Sequence, residues 1–581
     1  MTYLFNQPSA FASELIEGFV AANADKVRQV PGGVVRSTRS QPGSVAVIVG
    51  GGSGHYPAFA GLVGQGLAHG AAMGNLFASP SAQQIYNVAR AADNGGGVLL
   101  MFGNYAGDVL HFGQACERLR SEGIPCEVLA VTDDVSSASA DEIEKRRGVA
   151  GDLTVFKVAC AAAEAGHDLA SVLKVASHAN DRTRSFGVAF SGCTLPGASH
   201  PLFEVGEGRM ALGLGIHGEP GIKETDVPTA NELAEIFVDR LLSELPQDIT
   251  QAEGQRVAVI LNGLGTVKYE ELFVVYRRVA QLLEAAKLQV IEPDVGEFVT
   301  SFNMAGASLT LMWLDDALET FWRAPTNAPA YRKGSVIVAE QLAPAECVEQ
   351  AQETLPQASA ESQASAQRVL QLLEAVAKML QANAEKLGDI DAVAGDGDHG
   401  IGMERGVLGA VEKAREVARR GAGAGTLLCR AADAWADKAG GTSGALWGVA
   451  LTALGTALGD QQQPDAQRVA SGVRHAQEGI MHFGKAKVGD KTMVDVLVPF
   501  ADSLNDAVAK GESLTAAWLQ AAKIANEAAQ ATAQLLPKMG RARPLAEKSL
   551  GTPDAGAISL AMIVDTVGNL LNDNATADQG V

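Results

Sequence analysis

The chain has 581 residues, enough for two or more separate cores, and its 67 acidic against 46 basic residues give a formal charge of −21. With no Lys/Arg-rich run, that balance argues against binding to nucleic acid or an anionic membrane, and an anionic substrate has to be held by metal, backbone N–H groups or Arg. Six scattered cysteines with no C-x2-C pair, no apolar run near 18 residues and no signal-peptide pattern at the N-terminus lead to the expectation of a cytoplasmic protein, without a membrane span or zinc site.

In chain order, β-branched runs at Val45–Val49, Val98–Phe102, Val128–Thr132, Val188–Ser191 and Val257–Leu261 alternate with helical patterns, which predicts a sheet covered by helices on both faces. Three of these runs lead into glycine-rich loops, Gly50 to Pro57, Gly103 to Asp108 and Asn262 to Thr266, at the carboxyl ends where open α/β sheets bind ligands. The first loop is not a dinucleotide fingerprint, because His55 stands where the third glycine of G-x-G-x-x-G belongs. Further on, His217 is bounded by Gly215 and Gly218, a setting that suits a nucleophile or proton carrier as well as a plain turn histidine. If His55, Asp108 and His217 converge above one sheet, they make an acid–base site for a small molecule.

Strand signals stop near residue 340. A polar, Pro-interrupted stretch from Ala343 reads as a tether, and from Gln363 the pattern is helical, with Val369, Leu373, Val376, Ala377 and Leu380 on one face. The expected organisation is an α/β domain over 1–340, a linker over 341–364 and an all-α domain over 365–581. At its start, Asp391, Asp396 and Asp398 form D-x4-D-x-D on a glycine-rich turn between two helical segments. Carboxylates this close repel by about 1 to 4 kcal/mol per pair, so they need a cation or full solvation. Oxygen-only ligands favour Mg²⁺, usually shared with substrate phosphates, while the competing reading is an acidic, solvated loop. Gly479 to Ala486 nearly matches a P-loop, but Ala486 lacks the metal-binding hydroxyl and no strand precedes it.

Taken together, Gly50-Gly-Gly-Ser-Gly-His55, Phe77-Ala-Ser-Pro-Ser81, Asn104-Tyr105 with Gly107-Asp108, Gly187 to Pro196 and Gly215-Ile-His-Gly-Glu-Pro-Gly221 resemble the ketose-binding K domain of dihydroxyacetone kinases. Gly395 to Gly400, Gly440 to Gly444, Val488 to Asp495, Gly540-Arg-Ala542 and Asp554 to Ala557 resemble the family's nucleotide-binding L domain, and having both on one chain resembles the ATP-dependent form. The resemblance implies a K domain of two α/β subdomains and an L domain that is an antiparallel eight-helix barrel. It implies ATP with two Mg²⁺ ions on Asp391, Asp396 and Asp398, and a ketose held as a hemiaminal on His217, with His55 or Asp108 as general base. Substrate contacts would come from Gly52, Ser53, Gly54, His55, Gly103, Asp108 and His217. Nucleotide contacts would come from His399, Gly400, Ile401, Gly402, Thr442, Ser443, Met493, Arg541, Asp554, Ala555 and Gly556. A homodimer through the K domain is also implied.

Two departures fall near the sugar. Tyr56 stands where many members have Glu, and Gly103 where they have Lys, with Ala106 also smaller than the usual Thr; the acceptor is then dihydroxyacetone or a four-carbon ketose such as D- or L-erythrulose. The alternatives are a Mn²⁺-dependent FAD-AMP lyase using the same nucleotide domain, and a non-catalytic ketose-binding co-regulator.

Overall fold

The structure, a computed structural model, describes residues 4–219, 221–342, 355–395, 397–539 and 547–578, with side chains to residue 573. It separates into two compact units, Met1–Glu349 and Gln350–Val581. Asp396 and Arg541 lie outside the described residues.

The first unit holds two main sheets. One comprises β1 (Val27–Val30), β2 (Gly33–Arg36), β3 (Ala46–Ser53), β4 (Gly70–Leu76), β5 (Val98–Gly103) and β6 (Cys126–Val131), in the order β1-β2-β4-β3-β5-β6. Its four strands β4, β3, β5 and β6 are parallel. The other comprises β7 (Thr183–Ala189), β8 (Arg209–Leu212), β9 (Lys223–Asp226), β10 (Arg256–Gly263), β11 (Gln289–Val290), β12 (Asp294–Gly296) and β13 (Gly306–Leu314), with β10, β13, β7, β8 and β9 successively antiparallel. The helices are α1 (Phe11–Ala22), α2 (Ala82–Ala92), α3 (Ala106–Ser121), α4 (Gly151–Glu164), α5 (Leu169–Asp181), α6 (Ala230–Leu242), α7 (Tyr269–Ala285) and α8 (Asp316–Arg323). Helix α4 touches strands of both sheets and is buried from Gly151 through Ala163. That is why its sequence, unlike that of the amphipathic α2, is apolar on nearly every side.

The second unit has eight α-helices among the described residues: α9 (Ala360–Ala392), α10 (His399–Arg419), α11 (Ala424–Ala439), α12 (Gly441–Leu458), α13 (Ala466–Gly484), α14 (Val494–Ala509), α15 (Leu514–Ala531) and α16 (Ala555–Asp578). Each packs on the next and α16 returns to α9, which closes the ring. Small residues permit the tightest approaches: a Cβ on Gly400 would stand 1.8 Å from the Ala384 carbonyl oxygen, so α10 can lie against α9 only with glycine there. The near P-loop covers the last turns of α13 and its left-handed cap at Lys485, a helix C-terminus rather than the strand-to-helix loop a phosphate cradle needs. Against the expectation from the sequence, the segment Ala555–Asp573 is long and apolar enough to cross a membrane. It packs as a core helix, however, with Ala557, Leu560, Ala561 and Val564 buried and the Val564 carbonyl accepting from the Trp518 indole at 2.8 Å.

Candidate active site

Strand β3 continues through the glycine run, so Gly50 to Gly52 are strand residues rather than the loop their spacing suggests. A Cβ on Gly51 would stand 2.5 Å from the Phe59 ring, and one on Gly52 2.7 Å from the Ala78 nitrogen. The buried Ser53 hydroxyl donates to the Gly74 carbonyl at 2.7 Å, which turns the side chain into the protein interior. The chain then turns at Gly54, φ +106, a conformation suited to glycine. His55 follows with its ring stacked on Phe77, centroids 4.8 Å apart and nearly parallel. Phe77 itself holds φ +53, unusual for a bulky residue, and its N–H donates to the Ser53 carbonyl at 2.9 Å.

The second sheet supplies the partner. His217 lies in the turn between β8 and β9, and its Nε2 is 3.0 Å from Nε2 of His55. His55 Nδ1 is 2.7 Å from the Thr300 carbonyl, which can only accept, so that nitrogen carries the hydrogen. Burial, reinforced by His217, lowers His55 to about 3 and keeps it neutral, so its Nε2 is an acceptor. On the other side, His217 Nδ1 faces Glu219 Oε1 at 3.1 Å, while Glu219 Oε2 accepts from the His217 backbone N–H at 3.0 Å. Each ring nitrogen of His217 therefore faces an acceptor. Burial works to raise Glu219, but His217 and Arg147 overcome it and hold the carboxyl well below the usual range. Arg147 is itself fixed by Asp134 and by the Gly213 carbonyl, each at 2.9 Å. Gly215 is bare because a Cβ there would stand 2.1 Å from Glu219 Oε2.

Asp108 sits in the first turn of α3, buried, with its Oδ1 accepting from the Ser79 hydroxyl at 2.8 Å. Burial pushes it up to about 7, while Ser79 and His217 pull the other way, and a base poised near neutrality suits proton abstraction. The third glycine loop plays a supporting part: the Asn262 side chain accepts from the N–H groups of Phe298 and Val299 at 2.8 and 3.0 Å, steadying the loop that presents Thr300. Of the two departures, Tyr56 is half-exposed and its ring lies against Phe19 of α1, centroids 6.0 Å apart. Gly103 is buried, and the position of a Cβ there is 3.1 Å from Asp152 Oδ2 and 3.3 Å from the Tyr105 ring. Tyr105 in turn meets the His217 ring edge-on at 4.5 Å.

In the second unit the alternation of antiparallel helices gathers the N-termini of α10, α12, α14 and α16 at one end. His399 Nε2 is 2.9 Å from the Ser559 hydroxyl, which ties α10 to α16. Ser443 reaches the Met403 sulfur at 3.9 Å, tying α12 to α10, and a Cβ on Gly556 would meet Met493, at the head of α14, at 3.7 Å. Helix N-termini present free N–H groups and positive potential to an anion, so this end suits a polyphosphate. Asp554 Oδ1 accepts from the Ala557 N–H at 2.7 Å, and burial, with Asp391 and Asp495 adding, raises it to about 7. Desolvation and the neighbouring Asp391 act to raise Asp398 to about 6, although the residue is exposed, so its repulsion from Asp391 is the better-founded cause. Among the described residues no three His, Cys, Asp or Glu side chains form a metal-holding group, Asp396 being outside them. Asp391 acts to raise both Asp398 and Asp554, and carboxylate oxygens are the donor type that Mg²⁺ prefers. Gly400, Ile401, Gly402, Thr442 and Ala555 occupy first turns at the same end.

A family model described as the Dak1 domain matches residues 17–330, and one described as the DAK2 domain matches residues 393–569. The chain belongs to the dihydroxyacetone kinase family. Among curated members, an L-erythrulose kinase of Pectobacterium atrosepticum is 70% identical over 577 residues, 99% of this chain and 98% of that one. A D-erythrulose kinase of Mycolicibacterium smegmatis is 54% identical over 572 residues, 98% of each. The crystal structure of the dihydroxyacetone kinase from C. freundii in complex with AMP-PNP and Mg²⁺ matches with a TM-score of 0.52 at 30% identity, covering 98% of this chain and 99% of that one. Both the α/β first unit and the closed helical second unit are therefore those expected of a dihydroxyacetone kinase.

Residues that sequence reasoning passed over as site members are Glu219, Thr300, Phe77, Tyr105, Ser79 and Arg147. Glu219, Phe77, Ser79 and Tyr105 lie inside motifs that carry the resemblance and so had a local signal, whereas Thr300 and Arg147 had none.

Proposed function

We propose that the protein is an ATP-dependent kinase of a short ketose, phosphorylating its terminal hydroxyl, with L-erythrulose the preferred acceptor. The observation that carries the reading is the His55–His217 pair, 3.0 Å apart, with Glu219 at the far nitrogen. Keeping a proton on Nδ1 toward Glu219, His217 passes its Nε2 proton to Nε2 of His55, and the freed lone pair attacks the ketose carbonyl carbon. His55 returns the proton to the carbonyl oxygen, giving a neutral hemiaminal hydroxyl on a cationic ring that Glu219 faces throughout. Fixing a small flexible sugar in this way is worth on the order of 7–11 kcal/mol of barrier when the reacting hydroxyl is well placed. Asp108 takes the proton of the terminal hydroxyl as its oxygen attacks the γ-phosphorus and ADP leaves.

Asp391, Asp396 and Asp398 are the residues that would hold Mg²⁺, which when bound neutralises charge on the transferring phosphoryl group. The helix N-termini at His399 to Gly402, Thr442 and Ser443, Met493 and Asp554 to Gly556, with Arg541, would hold the nucleotide. The choice of L-erythrulose over D-erythrulose and dihydroxyacetone follows the 70% identical relative of that name. We place the enzyme in the cytoplasm as a homodimer through its first unit. The test is ADP release from Mg²⁺-ATP with L-erythrulose, D-erythrulose, dihydroxyacetone and no sugar. A kcat/KM highest for L-erythrulose supports the assignment, highest for another ketose changes the acceptor, and ADP release independent of sugar refutes the kinase reading.

A further inference from the structure

Asp152 opens α4 and is 1% exposed, yet its Oδ1 has no hydrogen-bond partner. An acid in the first turn of a helix is ordinarily there for the free N–H groups. Here that role belongs to Asp133, whose two oxygens accept from the N–H groups of Val149 and Gly151 at 2.8 Å each. Burying a second carboxyl beside it without a donor is costly, and such groups are rare in folded proteins unless something outside the protein completes them. The charged groups that act on Asp152 are Asp133 and Asp108, both acidic, and with burial they raise its carboxyl well above the ordinary range. A neutral carboxyl both donates and accepts, and does not repel an incoming phosphoryl group.

The position of the carboxyl points to what completes it. Its second oxygen, Oδ2, stands 3.1 Å from the point where Gly103 would carry a Cβ, with the Tyr105 ring 3.3 Å from that same point, and the unpartnered Oδ1 is 2.8 Å from the corresponding point on the adjacent Gly148. Tyr105 lies against His217, the residue that carries the sugar, and Asp108, the base for its terminal hydroxyl, acts directly on Asp152. The carboxyl is thus one bare glycine away from the site. We propose that Asp152 is a specificity-determining residue, its carboxyl reached past the bare Cα of Gly103 to hydrogen-bond the hydroxyl on the carbon that a four-carbon ketose has and a three-carbon ketose lacks. This rests on the short-ketose kinase reading.

The experiment compares kcat/KM for L-erythrulose and dihydroxyacetone, by ADP release with Mg²⁺-ATP, in the full chain and in Asp152→Ala, Asp152→Asn and Gly103→Ala. The ratio of erythrulose to dihydroxyacetone is expected to fall about 10- to 100-fold in Asp152→Ala, the range for losing one hydrogen bond to a substrate hydroxyl. Asp152→Asn, which still donates and accepts, should keep the ratio within about threefold of the parent, and Gly103→Ala, whose methyl covers the carboxyl, should lower it. If Asp152→Ala does not fold, Gly103→Ala and Asp152→Asn carry the test. A ratio unmoved by the alanine variants, with rates falling equally on both sugars, overturns the proposal and makes Asp152 a structural residue. If the parent protein phosphorylates neither sugar, the kinase reading fails instead.

Discussion

Replacing Glu219 by Gln keeps the side chain's shape and removes its charge, which isolates what that charge does for His217. In the hemiaminal route the His217 ring is cationic while the sugar is bound, and Glu219 Oε1 lies 3.1 Å from its Nδ1. Two unit charges at that separation attract by about 5 kcal/mol at an effective dielectric of about 20. The ring spreads its charge, and 13% of the His217 side chain meets solvent, so the usable part is smaller. A loss of about 2–3 kcal/mol is expected, or about 30- to 150-fold in kcat/KM. Arg147, left without its second carboxylate beside the histidine, adds to the loss rather than offsetting it. The assay is steady-state ADP release with saturating Mg²⁺-ATP, together with ¹³C NMR of carbonyl-labelled ketose to follow the hemiaminal carbon. Loss of both turnover and the hemiaminal signal at unchanged Tm is the expected outcome. Turnover within threefold of the parent, or an unaltered hemiaminal population, would refute the role given to Glu219.

His217→Ala should abolish ketose-dependent ADP release altogether, and retention of even a tenth of the parent rate would remove the covalent step from the mechanism. Because Asp108 sits at about 7 and the proposed base is its carboxylate, kcat/KM should rise with pH and level off above neutrality; Ser79→Ala deletes a bond that lowers Asp108, so the inflection should move to higher pH. The same shift has a stability consequence: the folded state holds the Asp108 proton to higher pH than the unfolded chain, so stability drops as pH rises from about 4 to about 7. Asp108→Asn should therefore raise Tm at pH 8 and not at pH 4, as calorimetry at the two pH values will show. Gly400→Ala drives a methyl into the Ala384 carbonyl, 1.8 Å from the ideal Cβ position, and should cost at least about 1–3 kcal/mol, read as a lowered Tm of the helical unit. Chelation with EDTA should abolish turnover, Mg²⁺ should restore it, and Asp398→Asn should raise the Mg²⁺ concentration needed.

What could be read from the sequence was what has a local period or a local motif. The strands at Val45, Val98 and Val257 announce themselves because parallel and central strands are continuous apolar runs, and the helical unit because its apolar positions recur at helical spacing. The run at Val188–Ser191 is displaced, the strand being Thr183–Ala189, since Thr183, Arg184 and Ser185 are polar residues buried by partners distant in sequence. Gly50 to Gly52 look like a loop because glycine is a turn residue, whereas here it answers to crowding by Phe59 and Ala78. His55, Asp108 and His217 could be picked out by their glycine surroundings. Thr300 and Arg147 could not, because what makes them matter is contact across some 70 to 250 residues of chain. Tyr56 illustrates the converse: it adjoins a site histidine in sequence, yet its ring turns to Phe19.

The closed ring of eight helices among the described residues makes the proposed phosphate end a matter of parity. Every second helix begins there, so losing or gaining one helix would reverse the direction of all that follow and scatter Asp391, Thr442, Met493 and Asp554 to opposite ends. Helices can be exchanged only in pairs. The opposite end collects the start of α9 with the turns before α11 and after α12, where the Ser362 hydroxyl reaches the Gly459 carbonyl at 3.3 Å and accepts from the Ala424 N–H at 3.0 Å. Because α16 also finishes at that end, a circularly permuted chain that joins it to α9 and opens the turn at 420–423 should keep the same phosphate cradle, which makes this the region where the unit tolerates rewiring.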